Sequence, residues 1–160
     1  MRSMFTLRRA TDRDRPVVQA LRHAAAGEFA VAAKSRRNGA VWRTPAQDLD
    51  DLISAAQYFV AELDGQIVAG AGWEPHTRIP GTAVVRSVFS DRGQSALAAE
   101  MVQAAEDSAV SAGYDLILIP ALENAARFYR ALGYMSADPD EMVLEAGQRV
   151  GYRRMWKHAT

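Results

Sequence analysis

The segment NAARFYRALGY (124–134) carries the side chain whose chemistry is most informative, the phenol of Tyr129. Phe128 and Leu132 recur four residues apart, which predicts one face of a short helix, and Gly133 stands where a left-handed C-cap ends such a helix. The segment follows an apolar run, LILIP, that predicts a strand. A tyrosine on this helix can direct its hydroxyl, a hydrogen-bond donor, into a cleft beside the strand. Packing of the ring in the core is the alternative interpretation.

Composition excludes several kinds of site. The chain contains no cysteine, so it has no disulfide, no thiolate metal site and no cysteine nucleophile. Its 160 residues, 49% of them apolar, can bury a full core as a single domain spanning 1–160. The 19 basic and 19 acidic residues balance, which argues against general binding to nucleic acid or to an anionic membrane. No apolar run approaches a membrane span and MRSMFTLRRA lacks the apolar centre of a signal peptide, so we expect a cytoplasmic protein.

Hydrophobic periodicity and turn residues predict the element order β-α-α-β-β-β-α-β-α-β-β. The strongest local signal is a hairpin, YFVAELDGQIVAGAGW (58–73), in which Asp64 and Gly65 tolerate the positive φ values of a two-residue turn. A turn is predicted at 138–140, and the other strands are predicted at 4–9, 82–89, 114–120, 142–147 and 152–157. Antiparallel hairpins with one β-α-β crossover predict an α/β fold with a mixed, mostly antiparallel sheet and helices on both faces.

The predicted helices have their own start signals or apolar faces. Thr11 to Asp14 supplies N-caps for the first helix, and Thr44 with Gln47 has the capping-box spacing for the second. The segment 27–43 between them fits a bent helix followed by a loop. The long third helix ends at Gly113 and has an apolar face made of Leu97, Met101, Ala105 and Ala109.

This order of elements, with these residues at the joints, resembles the GNAT superfamily of acyl-CoA-dependent N-acyltransferases. Four local matches carry the resemblance over nearly the whole chain: LRRATDRDRPVVQAL, YFVAELDGQIVAGAGW, AAEDSAVSAGY and, most specifically, NAARFYRALGY. The resemblance implies a GNAT-like fold and direct transfer of an acetyl group from acetyl-CoA to a primary amine of a small molecule or peptide. It implies acetyl-CoA as the cosubstrate, no metal, and a monomer or homodimer. The alternative is a non-catalytic member that binds acyl-CoA weakly or binds another ligand.

The resemblance places the cofactor pyrophosphate at the turn before the long helix, where backbone N–H groups and the helix dipole favour an anion. The family pattern there is Gln or Arg, two residues, Gly, one residue, then Gly or Ala. An ungapped alignment puts Gly93, Ala96 and Ala98 on these three positions, of which only Ala98 fits, and a second alignment on VRSVF leaves the turn two residues short. Capping of an ordinary helix is the alternative. The predicted contacts, in a turn that departs from the family, are Arg92, Gly93, Gln94, Ser95, Ala96, Leu97 and Ala98.

The resemblance also assigns chemical roles. Tyr129 corresponds to the tyrosine that protonates or hydrogen-bonds the CoA sulfur, and packing remains its alternative. Asn124 corresponds to a residue that caps the fourth helix and contacts the cofactor, with a plain cap as the alternative. The backbone N–H that polarises the thioester carbonyl lies near Val88 or Phe89, where the fourth and fifth of the family's strands diverge.

The general base is predicted from the acids and histidines that remain. An alkylamine is almost fully protonated at pH 7, so a group must accept its proton. Many members carry a glutamate on the strand that reads TAVVRSV here, which has no acid, and Glu74 and His76 are the predicted substitutes. The alternatives are that both are solvated surface residues and that backbone carbonyls and ordered water accept the proton. Arg86 on that strand could recognise an acidic substrate group or reach solvent. The residues predicted to line the acceptor pocket, with core packing as the alternative for each, are Phe29, Trp42 and Trp73.

Overall fold

The computed structural model describes residues 5–24, 36–37, 40–41, 45–91, 95–143 and 149–159. In chain order these residues form β1 (Phe5–Arg9), α1 (Arg15–Ala24), β2 (Arg36–Arg37), β3 (Ala40–Val41), α2 (Pro45–Ser54), β4 (Tyr58–Leu63), β5 (Gln66–Pro75), β6 (Thr82–Ser90), α3 (Ser95–Ser111), β7 (Leu116–Leu122), α4 (Ala126–Ala131), β8 (Met135–Val143) and β9 (Arg149–His158). Short 3₁₀ turns at Asp12–Asp14 and Glu123–Ala125 lead into α1 and α4.

Seven of the strands form one mixed sheet in the order β1-β4-β5-β6-β7-β9-β8. Every neighbouring pair is antiparallel except β6 and β7, which are parallel and are joined by the crossover helix α3. The predicted mixed, mostly antiparallel α/β fold is therefore confirmed. None of the helices in the described part of the chain has the length and apolar character that crossing a membrane requires.

Helices cover both faces of the sheet, because the strands bury alternate side chains on opposite sides. Tyr58 and Val60 of β4 pack with α1 and α2, whereas Phe59 and Ala61 pack on the side of α3. The predicted apolar face of α3 is buried in full. Truncating a fully buried residue such as Leu49 of α2 to Ala should cost roughly 2–5 kcal/mol.

The hairpin and the last short helix follow the predictions closely. Asp64 and Gly65 have φ values of 53° and 77°, as a two-residue turn between β4 and β5 requires. Gly133 has a φ of 97° just after α4, so the left-handed residue that ends this helix is also where the sequence places it.

Two local predictions are wrong. The turn predicted at 138–140 lies inside β8, which begins at Met135 rather than at 142 and has an irregular register between Ser136 and Pro139. Because β8 is the edge strand, Pro139 can occupy this bulge although it has no N–H to donate. Within the segment predicted as a helix and loop, the described residues form the small antiparallel pair of β2 and β3. The sequence between these two strands is Asn-Gly, a hairpin signal that the helix interpretation overlooked. The proposed cap Thr44 lies outside the described residues.

Candidate functional site

A gap opens between β6 and β7 toward their carboxyl ends. The two strands pair only from Thr82 to Val84 and from Leu116 to Leu118. Beyond these residues β6 continues against β5, while β7 continues against β9 as far as Leu122. The facing edges of β6 and β7 then have no ladder pairing with each other, so their backbone groups are available to a ligand that enters the gap. The divergence predicted near Val88 is present.

A bulge in β6 lies beside this gap. From Gly70 to Gly72 the β5 strand advances two residues, while β6 advances three, from Arg86 to Phe89. Ser87, inside the longer step, has a φ of 56°, a left-handed conformation that costs a non-glycine residue about 1–2 kcal/mol. Bulges re-aim the residues that follow them. This bulge therefore sets the direction of the backbone at the position predicted to donate the polarising N–H.

Tyr58 of β4 holds the bulge in place. Its hydroxyl donates a hydrogen bond of 2.7 Å to the carbonyl of Ser87, and its ring lies against Gly70 and Gly72. A Cβ atom at either glycine would come within 2.6 Å of the tyrosine, so only glycine leaves room for the ring. Tyr58 is fully buried, and this burial raises its pKa, which keeps the hydroxyl protonated as a donor. Sequence analysis missed Tyr58; the two alternating glycines opposite it were the available signal.

Tyr129 presents a buried hydroxyl that has no partner. The side chain is fully buried, and its oxygen forms no hydrogen bond with any residue that the structure describes. Its ring packs edge-on against Phe128 and Tyr134, at centroid distances of 5.0 and 5.9 Å. Burial raises the pKa of Tyr129, so the group is a neutral phenol at physiological pH. A buried hydroxyl without a partner costs about 1–3 kcal/mol, and a ligand atom within hydrogen-bonding distance would relieve that cost.

Three of the predicted site residues meet around the carboxyl end of β5 and the adjoining part of β6. Arg86 donates a hydrogen bond from Nε to Glu74 Oε2 at 3.0 Å, and both side chains are mostly buried. His76 Nδ1 accepts hydrogen bonds from the backbone N–H groups of Arg78 and Ile79, both at 3.0 Å. Burial and the charges of Arg86 and Arg78 lower the pKa of His76. Its neutral ring thus carries its proton on Nε2 and has no nitrogen left to accept another, which favours Glu74 over His76 as a base.

The face of the sheet on which these groups lie follows from the register. Glu74 is opposite Val84 and Arg86 is opposite Gly72, so their side chains share the face covered by α1 and α2 with Tyr58. Trp73 points to the other face and is buried there. Its indole N–H donates a 2.9 Å hydrogen bond to Ser108 of α3. Trp73 therefore packs in the core, which was the alternative to a place in the acceptor pocket.

The structure describes only some of the residues predicted to bind the cofactor. Ser95 begins α3; Ala96 is exposed in its first turn, and Leu97 and Ala98 are buried. Asn124, predicted to cap the fourth helix and contact the cofactor, lies inside the 3₁₀ turn that leads into α4, and Ala125 occupies the N-cap position of α4. The site residues that lie outside the described part of the chain are Phe29, Trp42, Arg92, Gly93 and Gln94.

Arg22, in the last turn of α1, is a buried cation that sequence analysis did not single out. Only 6% of the residue is exposed, and its Nε forms no hydrogen bond within the described part of the chain. Burial lowers its pKa, and this effect is opposed by Tyr58 and by Asp48 of α2. A lone arginine at the end of a helix is normally a solvated partner of the helix dipole, so the sequence carries no signal of this burial.

No group of three or more histidine and acidic side chains is arranged to hold a metal ion among the residues in the described ranges. The candidate site is thus a gap between two strands, with a bulge beside it, a buried phenol on the helix that follows β7 and an ion pair on one face of the sheet.

Comparison with known proteins identifies relatives of this architecture. A family model described as the acetyltransferase (GNAT) family matches residues 18–134. No curated protein matches the chain significantly.

Solved structures cover the chain almost completely. A ribosomal-protein-alanine N-acetyltransferase from Brucella melitensis has a TM-score of 0.72 at 19% identity, covering 96% of this chain and 99% of that chain. The yncA protein of Salmonella typhimurium, solved with its cofactor acetyl-CoA, has a TM-score of 0.72 at 17% identity, covering 99% and 95%. An N-acetyltransferase from Staphylococcus aureus Mu50 has a TM-score of 0.74 at 14% identity, covering 98% of each chain. At these identities the likeness shows a shared fold.

Proposed function

Because the chain belongs to the GNAT acetyltransferase family, we propose that it transfers an acetyl group from acetyl-CoA to a primary amine of a small molecule or peptide. The observation that carries the proposal is the buried hydroxyl of Tyr129, which has no partner among the described residues and follows the strand that borders the gap. A phenol in this state can donate a hydrogen bond to sulfur without first giving up another bond. The proposal also places the protein in the cytoplasm, as a single domain that works as a monomer or homodimer.

The residues of the chain divide the work between the two faces of the sheet. Bound acetyl-CoA supplies an activated thioester, whose C–S bond breaks as the new C–N bond forms. Tyr129 and Val88 belong to the core cluster on the α3 side of the sheet. The proposal assigns the sulfur of the thioester to the Tyr129 hydroxyl and its carbonyl to a backbone N–H near Val88. Glu74 lies on the α1 and α2 face, from which the amine would approach. The gap connects these two faces.

Tyr129 acts chiefly as a hydrogen-bond donor to the departing sulfur. A thiol ionises with a pKa near 8.5, whereas burial raises the pKa of Tyr129 above its usual value of about 10. The phenol therefore keeps its proton more firmly than a thiol does. The donated hydrogen bond stabilises the negative charge that develops on sulfur, and the proton released by the amine finally returns to it.

Glu74 is the proposed acceptor of the amine proton, directly or through a water molecule. Only about one alkylamine molecule in a few thousand is neutral at pH 7, so removal of the proton contributes to the rate. The ion pair with Arg86 fixes the orientation of the Glu74 carboxylate, and an ionised carboxylate can only accept hydrogen bonds and protons. Since the chain has no cysteine, direct transfer is the simplest route.

A non-catalytic acyl-CoA binder is the second candidate function. Ala96 in the first turn of α3 supports it, because a methyl group stands where the family has a bare backbone next to the pyrophosphate. A single experiment separates the two candidates. Thermal unfolding measured against rising acetyl-CoA and CoA concentrations reports binding, because a ligand of the native state raises the melting temperature.

Turnover is measured in the same samples by thiol release on adding a panel of primary amines. The protein itself contributes no thiol, since it has no cysteine. Stabilisation together with amine-dependent thiol release supports the enzyme. Stabilisation without thiol release for any amine supports the binder, and no stabilisation at millimolar acetyl-CoA contradicts both functions.

A further inference from the structure

Arg22 is the least explained charge in the described part of the chain. A cation that is only 6% exposed has lost most of its hydration, and no described residue offers its Nε–H an acceptor to replace the lost water. Burying a charge without full compensation costs several kcal/mol, so native structures normally pair such groups. An arginine that stays buried despite this cost therefore serves a purpose other than stabilising the free protein.

The surroundings of Arg22 place it on the acceptor side of the site. Arg22 follows Val18 by one helical turn, and Val18 packs with Tyr58 and Phe89 in the core under α1 and α2. The electrostatic neighbours of its guanidinium are the phenol of Tyr58 and the carboxylate of Asp48. Tyr58 in turn holds the carbonyl of Ser87 at the bulge. Arg22 therefore belongs to the helix that packs on the same face of the sheet as Tyr58, the face from which the amine is proposed to approach.

We propose that Arg22 binds a carboxylate of the acceptor, so that the substrates of this site are amines that also carry an acidic group, such as amino acids. This inference rests on the proposed acetyl transfer. The Nε–H and the neighbouring terminal N–H of a guanidinium form a fork that matches the two oxygens of a carboxylate. The other arginine considered for this role, Arg86, is already paired with Glu74.

The chemistry of the site makes an anionic acceptor useful. An amine acceptor is mostly cationic before it reacts, and Arg22 with Arg86 would repel a cation without a compensating charge. A carboxylate on the same molecule offsets this repulsion and orients the amine toward the gap.

The first measurement uses the unmodified protein with acetyl-CoA. Each proteinogenic amino acid is compared with its own carboxamide, which keeps the same amine and side chain but not the α-carboxylate. We expect the best acids to exceed their carboxamides in kcat/KM by at least about tenfold, the effect of one charge-assisted contact. Carboxamides used as well as the acids would overturn the carboxylate site while leaving acetyl transfer intact. Preference for an aminoalkylphosphonate over the carboxylate of the same skeleton would also overturn it.

The second measurement uses Arg22→Gln, with Arg13→Gln as the control at an exposed arginine near the same helix. We expect Arg22→Gln to lower kcat/KM for the acid about tenfold more than for its carboxamide, mainly through a higher KM for the acid, with KM for acetyl-CoA unchanged. The free variant should melt at or above the wild-type temperature, because a buried charge is removed. Arg22→Lys, which keeps the charge but loses the fork, should also lose most of the preference. Equal losses on acid and carboxamide would show a purely structural arginine.

A binding readout separates failure of this inference from failure of the proposed function. The N-acetyl forms of the same amino acids are titrated in thermal unfolding without acetyl-CoA. Stabilisation of the wild type but not of Arg22→Gln supports the carboxylate site even if no transfer is seen. Stabilisation of neither protein by any of these anions contradicts it, whatever the turnover.

Discussion

The hydroxyl of Tyr58 donates a 2.7 Å hydrogen bond to the carbonyl of Ser87, 29 residues further along the chain. This contact ties β4 across β5 to the one residue of β6 that has a left-handed backbone. The strained bulge persists because the tyrosine is fully buried above two glycines and cannot move away. The backbone N–H that follows the bulge is thereby aimed by a side chain two strands away.

Tyr58→Phe should reduce turnover more than it reduces stability. The variant keeps the ring and removes one hydrogen bond, which costs about 1 kcal/mol of folding free energy. We expect kcat to fall by about tenfold, since loss of a whole oxyanion donor costs about 10²–10³ and here the donor is only misdirected. KM for acetyl-CoA should not change. Steady-state kinetics well below the melting temperature measure this.

Tyr114→Phe is the matched control, because Tyr114 lies before the first residue of β7, away from the bulge, with its ring 5.2 Å from Trp73. An equal fall of kcat in both variants, or none in Tyr58→Phe, would show that the Tyr58 hydroxyl only supports the fold.

Tyr129→Phe should lower turnover without lowering stability. The hydroxyl has no partner among the described residues, so its removal should leave the unfolding free energy of the free protein unchanged or slightly higher. We expect turnover to fall by about 10²-fold or more, with the affinity for acetyl-CoA little changed. Chemical denaturation and steady-state kinetics give the two quantities. A stability loss above about 1 kcal/mol with normal turnover would assign Tyr129 to packing.

The pH dependence of turnover tests the same hydroxyl. Burial raises the pKa of Tyr129 above its usual value of about 10, so the neutral donor form is retained as the pH rises to 10. We expect ionisation of Tyr129 to cause no decline of kcat between pH 8 and pH 10. The wild type should therefore show no decline in this interval that is absent from Tyr129→Phe. Such a decline would mean that the phenol ionises in that interval and would contradict its burial.

How much of the fold could be predicted from the sequence depends on whether local or long-range interactions determine each element. The 58–73 hairpin and the buried face of α3 follow from local periodicity and turn chemistry, and both were predicted. The turn at 138–140 was wrong because Asp-Pro-Asp signals a turn locally, whereas the position of β8 at the sheet edge lets a proline remain in a strand.

The site was predicted less completely for the same reason. Glu74 and Arg86 were each named, but their pairing depends on the register of β5 and β6, which composition does not reveal. The left-handed Ser87 has no residue signal, since serine does not favour positive φ. The burial of Arg22 is a product of packing between α1, α2 and the sheet, and the sequence shows only an arginine at a helix end.

Glu74→Gln tests the proposed base. The amide keeps the shape of the side chain but cannot accept a full proton, and it weakens the pairing with Arg86. We expect kcat/KM for the amine to fall about 10²-fold at pH 7, and the loss to shrink as rising pH supplies neutral amine. His76→Gln is the comparison, because the bonds that its Nδ1 accepts make it part of the loop after β5. A larger loss in His76→Gln, with normal stability, would transfer the role of base to the histidine.

Asp14 supplies a pH-dependent part of the stability that is independent of the reaction. Its carboxylate accepts hydrogen bonds from Arg8 at 2.8 and 2.9 Å and from the backbone N–H of Thr11 at 2.7 Å. The hydrogen bond from Arg8 is the main reason that the pKa of Asp14 falls to about 2, from a usual value of 3.8. Because the pKa is lower in the folded state, the contribution is present above pH 4 and is lost as the pH falls through about 2.

We expect Asp14→Asn to cost about 2 kcal/mol at pH 7 and progressively less between pH 4 and pH 2. Urea unfolding across this range measures the difference, and Asp12→Asn, at a largely exposed carboxylate paired with Arg15, should cost at most about 1 kcal/mol. A cost for Asp14→Asn that stays constant down to pH 2 would mean that the side chain acts through its shape and not through its charge.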